Sequence, residues 1–67
     1  MKVYFENSQG IERVIGLATD EQWAYRIIND FCAERNYTIH YMRSWKDERG
    51  RTVVDVGSWS EFFYIEE

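Results

Sequence analysis

The spacing of apolar positions changes along this chain, and each change marks an element. Val3 and Phe5 alternate with Lys2, Tyr4 and Glu6, the two-residue period of a short strand. Asn7-Ser8-Gln9-Gly10 has the composition of a hairpin turn. From Ile11 to Ala18 the alternation resumes, with Ile11, Arg13, Ile15 and Leu17 opposing Glu12, Val14, Gly16 and Ala18. Gly16 inside this second strand marks a bulge or a place where the helix or a neighbouring backbone comes close.

At Thr19 the period becomes helical. Thr19 stands at the N-cap position with Gln22 three residues later, a capping-box spacing, and Asp20 and Glu21 place negative charge in the first turn. Trp23, Ala24, Ile27, Ile28, Phe31 and Cys32 form one apolar stripe. Glu21, Gln22, Tyr25, Arg26, Asn29, Asp30 and Glu34 take the opposite face, and Asn36 is a left-handed stop. The spacing predicts a helix over about 19–35.

Two-residue alternation returns over 37–46, with Tyr37, Ile39, Tyr41, Arg43 and Trp45 on one face of a long third strand. Asp47-Glu48-Arg49-Gly50 turns the chain into a fourth strand over 52–65. The phase of that strand blurs at Gly57-Ser58, which predicts a bulge or bend near Gly57. The fold class that follows is α+β: one domain spanning 1–67, a two-layer ββαββ arrangement with a four-stranded antiparallel sheet and the helix on one face.

Composition changes this picture at one point. Three Trp, five Tyr and four Phe occur in 67 residues with no Pro, so aromatics fall on both faces of the second hairpin and one helix cannot bury them all. A domain this small buries only about 60% of its unfolded surface and needs reinforcement. One cysteine excludes an intrachain disulfide, and a single histidine excludes a zinc site built from several His or Cys ligands. Self-association through an aromatic face supplies the missing burial. The expected interface comprises Tyr37, Tyr41, Arg43, Trp45, Trp59 and Phe63, and the expected partner is a second copy or another protein.

Chemistry contributes less. Cys32 falls on the apolar stripe, where a thiol acts as a small hydrophobe, and His40 shares a strand face with Thr38 and Met42. No phosphate-binding loop or metalloprotease motif is present. The expectation is a non-enzymatic module without a cofactor. Asp55, flanked by Val53, Val54 and Val56, gains functional weight only if it is buried near Arg43 or His40.

The net charge of −4 disfavours nonspecific binding to nucleic acid and to anionic membranes. A stacking platform for single strands, with Tyr37, Tyr41 and Trp45 around Arg43 and a basic hairpin over 43–51, is the first alternative. An acidic accessory protein or inhibitor, of the kind phages and prophages carry, binding a basic host protein is the second. The lone thiol and the absence of a leader-like N-terminal segment or a 20-residue apolar run point to a reducing, cytoplasmic setting and no membrane.

Overall fold

The computed structural model describes all 67 residues, Met1–Glu67. Strand β1 (Lys2–Glu6) buries Val3 and Phe5 and pairs antiparallel with β2 (Glu12–Leu17). The intervening turn is closed by Asn7, whose Oδ1 accepts from the backbone N–H groups of Gln9 (2.9 Å) and Ile11 (3.0 Å). In the second hairpin Asp47 Oδ1 does the same for Arg49 and Arg51, both at 2.9 Å. The two turns, unlike in sequence, share an Asx residue with glycine three positions on, and the same side-chain-to-backbone bonds build both.

Both expectations for Gly16 hold at once. The register of β1 with β2 shifts so that Val3 faces Gly16 while Tyr4 faces Val14, leaving Ile15 as the extra residue of a bulge. A Cβ at Gly16 would lie 3.0 Å from Ile27 Cδ1 of the helix, so the missing side chain is what lets the helix settle on this edge.

Helix α1 runs Glu21–Glu34. Its N-cap is Asp20, not Thr19: Asp20 Oδ1 accepts from Trp23 N at 2.8 Å, so the capping role falls one residue later than the capping-box spacing placed it. Asp20→Ala is therefore expected to cost about 1 kcal/mol in denaturant unfolding, and Thr19→Ala no more than about 0.5 kcal/mol. The stripe rotates slightly as well. Ala24, Ile28, Phe31 and Cys32 are buried, but Trp23 at one rim is exposed while Tyr25, assigned to the polar side, packs against the core. Asn36 takes the left-handed conformation expected of it (φ 58°).

The second half departs from the expected four strands, and the sheet has five. β3 is only Arg43–Lys46, β4 is Thr52–Asp55, and β5 is Phe62–Glu66. The sheet is antiparallel throughout in the order β2-β1-β5-β4-β3. The stretch expected as one strand over 52–65 breaks at Gly57, which adopts φ +95°. The chain reverses there and β5 returns between β4 and β1. Because β4 ends at Asp55, residues 37–42 have no ladder to join. Their one backbone tie to this side is His40 N donating to Val56 O at 3.1 Å.

Val3, Phe5, Val54, Phe63 and Ile65 face α1 and form the core with Ala24, Ile28, Phe31 and Cys32. Phe5, Phe31 and Phe63 make its aromatic centre, with ring centroids 4.7 Å (Phe5–Phe31), 5.3 Å (Phe5–Phe63) and 5.6 Å (Phe31–Phe63) apart. No helix is long and apolar enough to cross a membrane.

Candidate functional site

The register puts Tyr4, Tyr64, Phe62, Val53, Asp55, Arg43 and Trp45 on the face away from the helix. Its middle is a polar lattice that sequence reasoning missed. Tyr4 and Tyr64 lie directly opposite each other, and each hydroxyl reaches diagonally across the strand pair. Tyr4 donates to Glu66 Oε1 (3.1 Å) and Tyr64 to Glu6 Oε1 (2.8 Å). Arg51, 6% exposed, lies over the Tyr64 ring at 4.1 Å. It donates to both oxygens of Glu12 on β2 (2.8 and 3.4 Å) and to Asp47 Oδ2 (3.3 Å).

Arg51 thus spans the sheet from the second hairpin to the far edge strand, and its planar fork suits both the ring and the carboxylate. In the sequence it reads only as one of several basic residues after a turn. The signal that identifies it is the strand order, since Glu12 lies 39 positions away.

Burial, and then the Glu6 carboxylate beside it, pushes the Tyr64 pKa up to about 12. A group whose folded value is raised stabilises the fold fully below its unfolded pKa. That contribution disappears as pH climbs. For Tyr64 the loss runs from the ordinary tyrosine value near 10.0 up through about 12. Ultraviolet titration is expected to show tyrosine ionisation extending to about pH 12, with Tyr37 also ionising above the ordinary value, and Tyr64→Phe to reduce that late phase by one tyrosine.

At the β3 end the face changes character. Tyr41 and Trp45 flank Arg43, whose guanidinium lies 5.2 Å and 5.9 Å from their ring centroids. Arg43 Nη2 donates to Asp55 Oδ2 at 2.9 Å, and Gly57 N donates to the other carboxylate oxygen at 2.9 Å. Asp55 is the buried carboxylate that the sequence singled out, 5% exposed. Arg43, with help from the Gly57 N–H, holds it below the usual carboxylate range. Tyr41, Asp55, Phe62 and Trp59 share the walls of a shallow depression beside this pair.

Of the six residues expected at the interface, Tyr41, Arg43, Trp45 and Trp59 gather here. Trp45 is 45% exposed and Trp59 is 100% exposed. The other two do not belong with them. Phe63 is 1% exposed, in the core beneath the helix, because the break at Gly57 resets the phase of β5. Tyr37 leaves the strand altogether and sits near Phe5 and Phe31 on the helix side, 6.1 Å and 6.3 Å away. Ile11, Val14 and Leu17 form a further exposed apolar run that the spacing of the sequence did not single out. It follows the free edge of β2, where the bulge at Ile15 disturbs the ladder and blunts pairing by an incoming strand.

The lone cysteine offers little chemistry. Cys32 is buried in the core, and desolvation followed by the charge of Glu61 pushes its thiol up, the opposite of what a nucleophile needs. His40 is exposed on the 37–42 segment. No three His, Cys, Asp or Glu side chains gather in a way that holds a metal ion. Comparison with protein-family models, with curated proteins and with solved structures finds no match for this chain.

Proposed function

We propose that this protein is a non-enzymatic interaction module that self-associates through the β3 end of its open sheet face, with Tyr41, Trp45 and Trp59 as anchors. The observation that carries the reading is the coexistence of a fully exposed Trp59 with half-exposed Tyr41 and Trp45 around an ion pair. Large exposed aromatics on so small a domain favour a partner. The Arg43–Asp55 pair leaves this patch formally neutral. Two copies can therefore meet here without the repulsion expected of chains carrying −4 each.

The rest of the open face does not favour such a contact. Glu6, Glu12, Glu66 and Asp47 there outnumber Lys2 and Arg51, and stacking two such surfaces would juxtapose like charges. Strand addition along β3 is also disfavoured, since Arg43 and Lys46 stand on the exposed edge as charged guards. The contact is side chain to side chain. The same ion pairing weakens the nucleic-acid alternative, because Arg43 and Arg51 already spend their charge on carboxylates within the chain.

The test is an alanine comparison read by equilibrium sedimentation. Trp45→Ala and Tyr41→Ala are expected to weaken self-association at least tenfold, each removing an anchor worth about 1–2 kcal/mol or more. Trp23→Ala, an equally exposed tryptophan on the helix, is expected to leave it unchanged. Association that survives both patch variants but is lost in Val14→Asp would move the interface to the β2 edge and refute this assignment.

A further inference from the structure

On the helix side of Trp59 lies a second feature, an open groove of about 490 Å3. Its walls are the 36–40 segment and the 57–61 loop, and the core residues Phe5, Val56 and Phe63 form its floor. No lysine or arginine lines it, and Glu61 is its one formally charged residue.

The Glu61 carboxylate is held in place by neutral donors. Tyr37 Oη donates to Oε2 at 3.1 Å and Ser58 Oγ to Oε1 at 3.0 Å, while Glu61 N donates back to Ser58 Oγ at 3.3 Å. The ion pairs of the chain are Arg43–Asp55, Arg51–Glu12 and Arg51–Asp47, so Glu61 has no cation partner. Each of its oxygens keeps a lone pair for a further donor. Its charge is felt nearby: burial and then Glu61 raise the Tyr37 hydroxyl against a smaller opposing effect of Arg35, and burial and then Glu61 raise the Cys32 thiol. The indole of Trp59, the aromatic side chain best suited to a cation, stands wholly in solvent at the rim.

We propose that this groove receives an arginine side chain from a basic segment of a partner protein, with the guanidinium paired to Glu61 and packed against Trp59. The charge complementarity is local, since an anionic, aromatic-walled groove attracts a cation whatever the chain's total charge. Arginine is preferred to lysine because its weakly hydrated plane stacks on a ring and forks onto a carboxylate at the same time. This contact is distinct from self-association but shares Trp59 with it, so the two compete for that indole.

The experiment titrates an acetyl-Gly-Arg-Gly-amide tripeptide into the full chain and follows the three tryptophan indole N–H resonances, with Trp59 identified from Trp59→Phe. Citrulline and lysine tripeptides run in parallel. The expected result is saturable movement of the Trp59 resonance with a dissociation constant of about a millimolar. Citrulline should bind at least tenfold more weakly and lysine roughly threefold more weakly, and Glu61→Gln and Trp59→Ala, the latter followed through the backbone amide resonance of Glu61, should each weaken the arginine peptide roughly tenfold. Because the Trp59 side chain is wholly exposed, its variant keeps the test open if Glu61→Gln disturbs the loop. Equal binding of the citrulline peptide, indifference to both substitutions, or no movement of the Trp59 resonance would overturn the proposal. Repeating the titration in Trp45→Ala separates the outcome from self-association.

Discussion

Truncation of Phe63 to alanine is expected to abolish most of the folded population, seen as loss of the cooperative transition in denaturant or thermal unfolding. Phe63 is the largest fully buried side chain, in contact distance of two other phenylalanine rings and paired in the sheet with Phe5 and Val54. Removing a buried phenylalanine costs about 3–5 kcal/mol, the transfer free energy of the ring plus the cavity left behind. A 67-residue domain at about 0.05–0.15 kcal/mol per residue has a total stability of roughly 3–10 kcal/mol. The loss is therefore comparable with the whole. The outcome also distinguishes the core position from the surface role first expected of this residue. A surface anchor replaced by alanine would weaken association and leave the monomer's unfolding unchanged.

The second large effect is expected at Gly57. Its φ of +95° is one that side-chain-bearing residues rarely adopt, and a Cβ there would lie 2.8 Å from His40 Cβ. Backbone strain of this kind costs about 1–3 kcal/mol, and the overlap with a neighbouring Cβ, which cannot simply rotate aside, adds about 1 kcal/mol or more. Gly10 serves as the control. It has a similar φ of +80°, but a Cβ there would meet nothing within 4 Å, so Gly10→Ala carries the strain alone. Gly57→Ala should therefore be the more destabilising of the two in denaturant unfolding. It should also displace the 37–42 segment, and with it the wall of the groove beside Trp59. Equal destabilisation by the two variants would show that the contact with His40 is unimportant.

The parts of this fold that read directly from the sequence are those set by local rules. Helix α1, the centre of its apolar stripe, the left-handed Asn36 and the two glycine-closed turns all follow from spacing and turn chemistry within a few residues. Even there the N-cap moved by one position, because Asp20 and Thr19 are both competent caps and only the phase of the helix selects between them. The second half was less legible for a physical reason. A glycine inside an alternating stretch reads equally as a bulge or a reversal. The choice decides whether 52–65 is one strand or two, and every side chain beyond it changes face with that choice.

That reversal accounts for both misplaced aromatics. It turned Phe63 inward, and by ending β4 at Asp55 it left Tyr37 without a strand to belong to. Asp55 and Arg43 were legible as a pair because they are joined by one short hairpin. Arg51 with Glu12, and Tyr64 with Glu6, were not, since those partners meet only once β5 inserts between β1 and β4.

Whether the neutral aromatic patch at the β3 end brings two copies together is tested most directly by light scattering coupled to size exclusion, run from micromolar to millimolar protein. The expected result is a mass rising with concentration from the 8.1 kDa of one chain toward twice that value, and a return to one chain in Trp45→Ala. A mass fixed at 8.1 kDa across the whole range would contradict it.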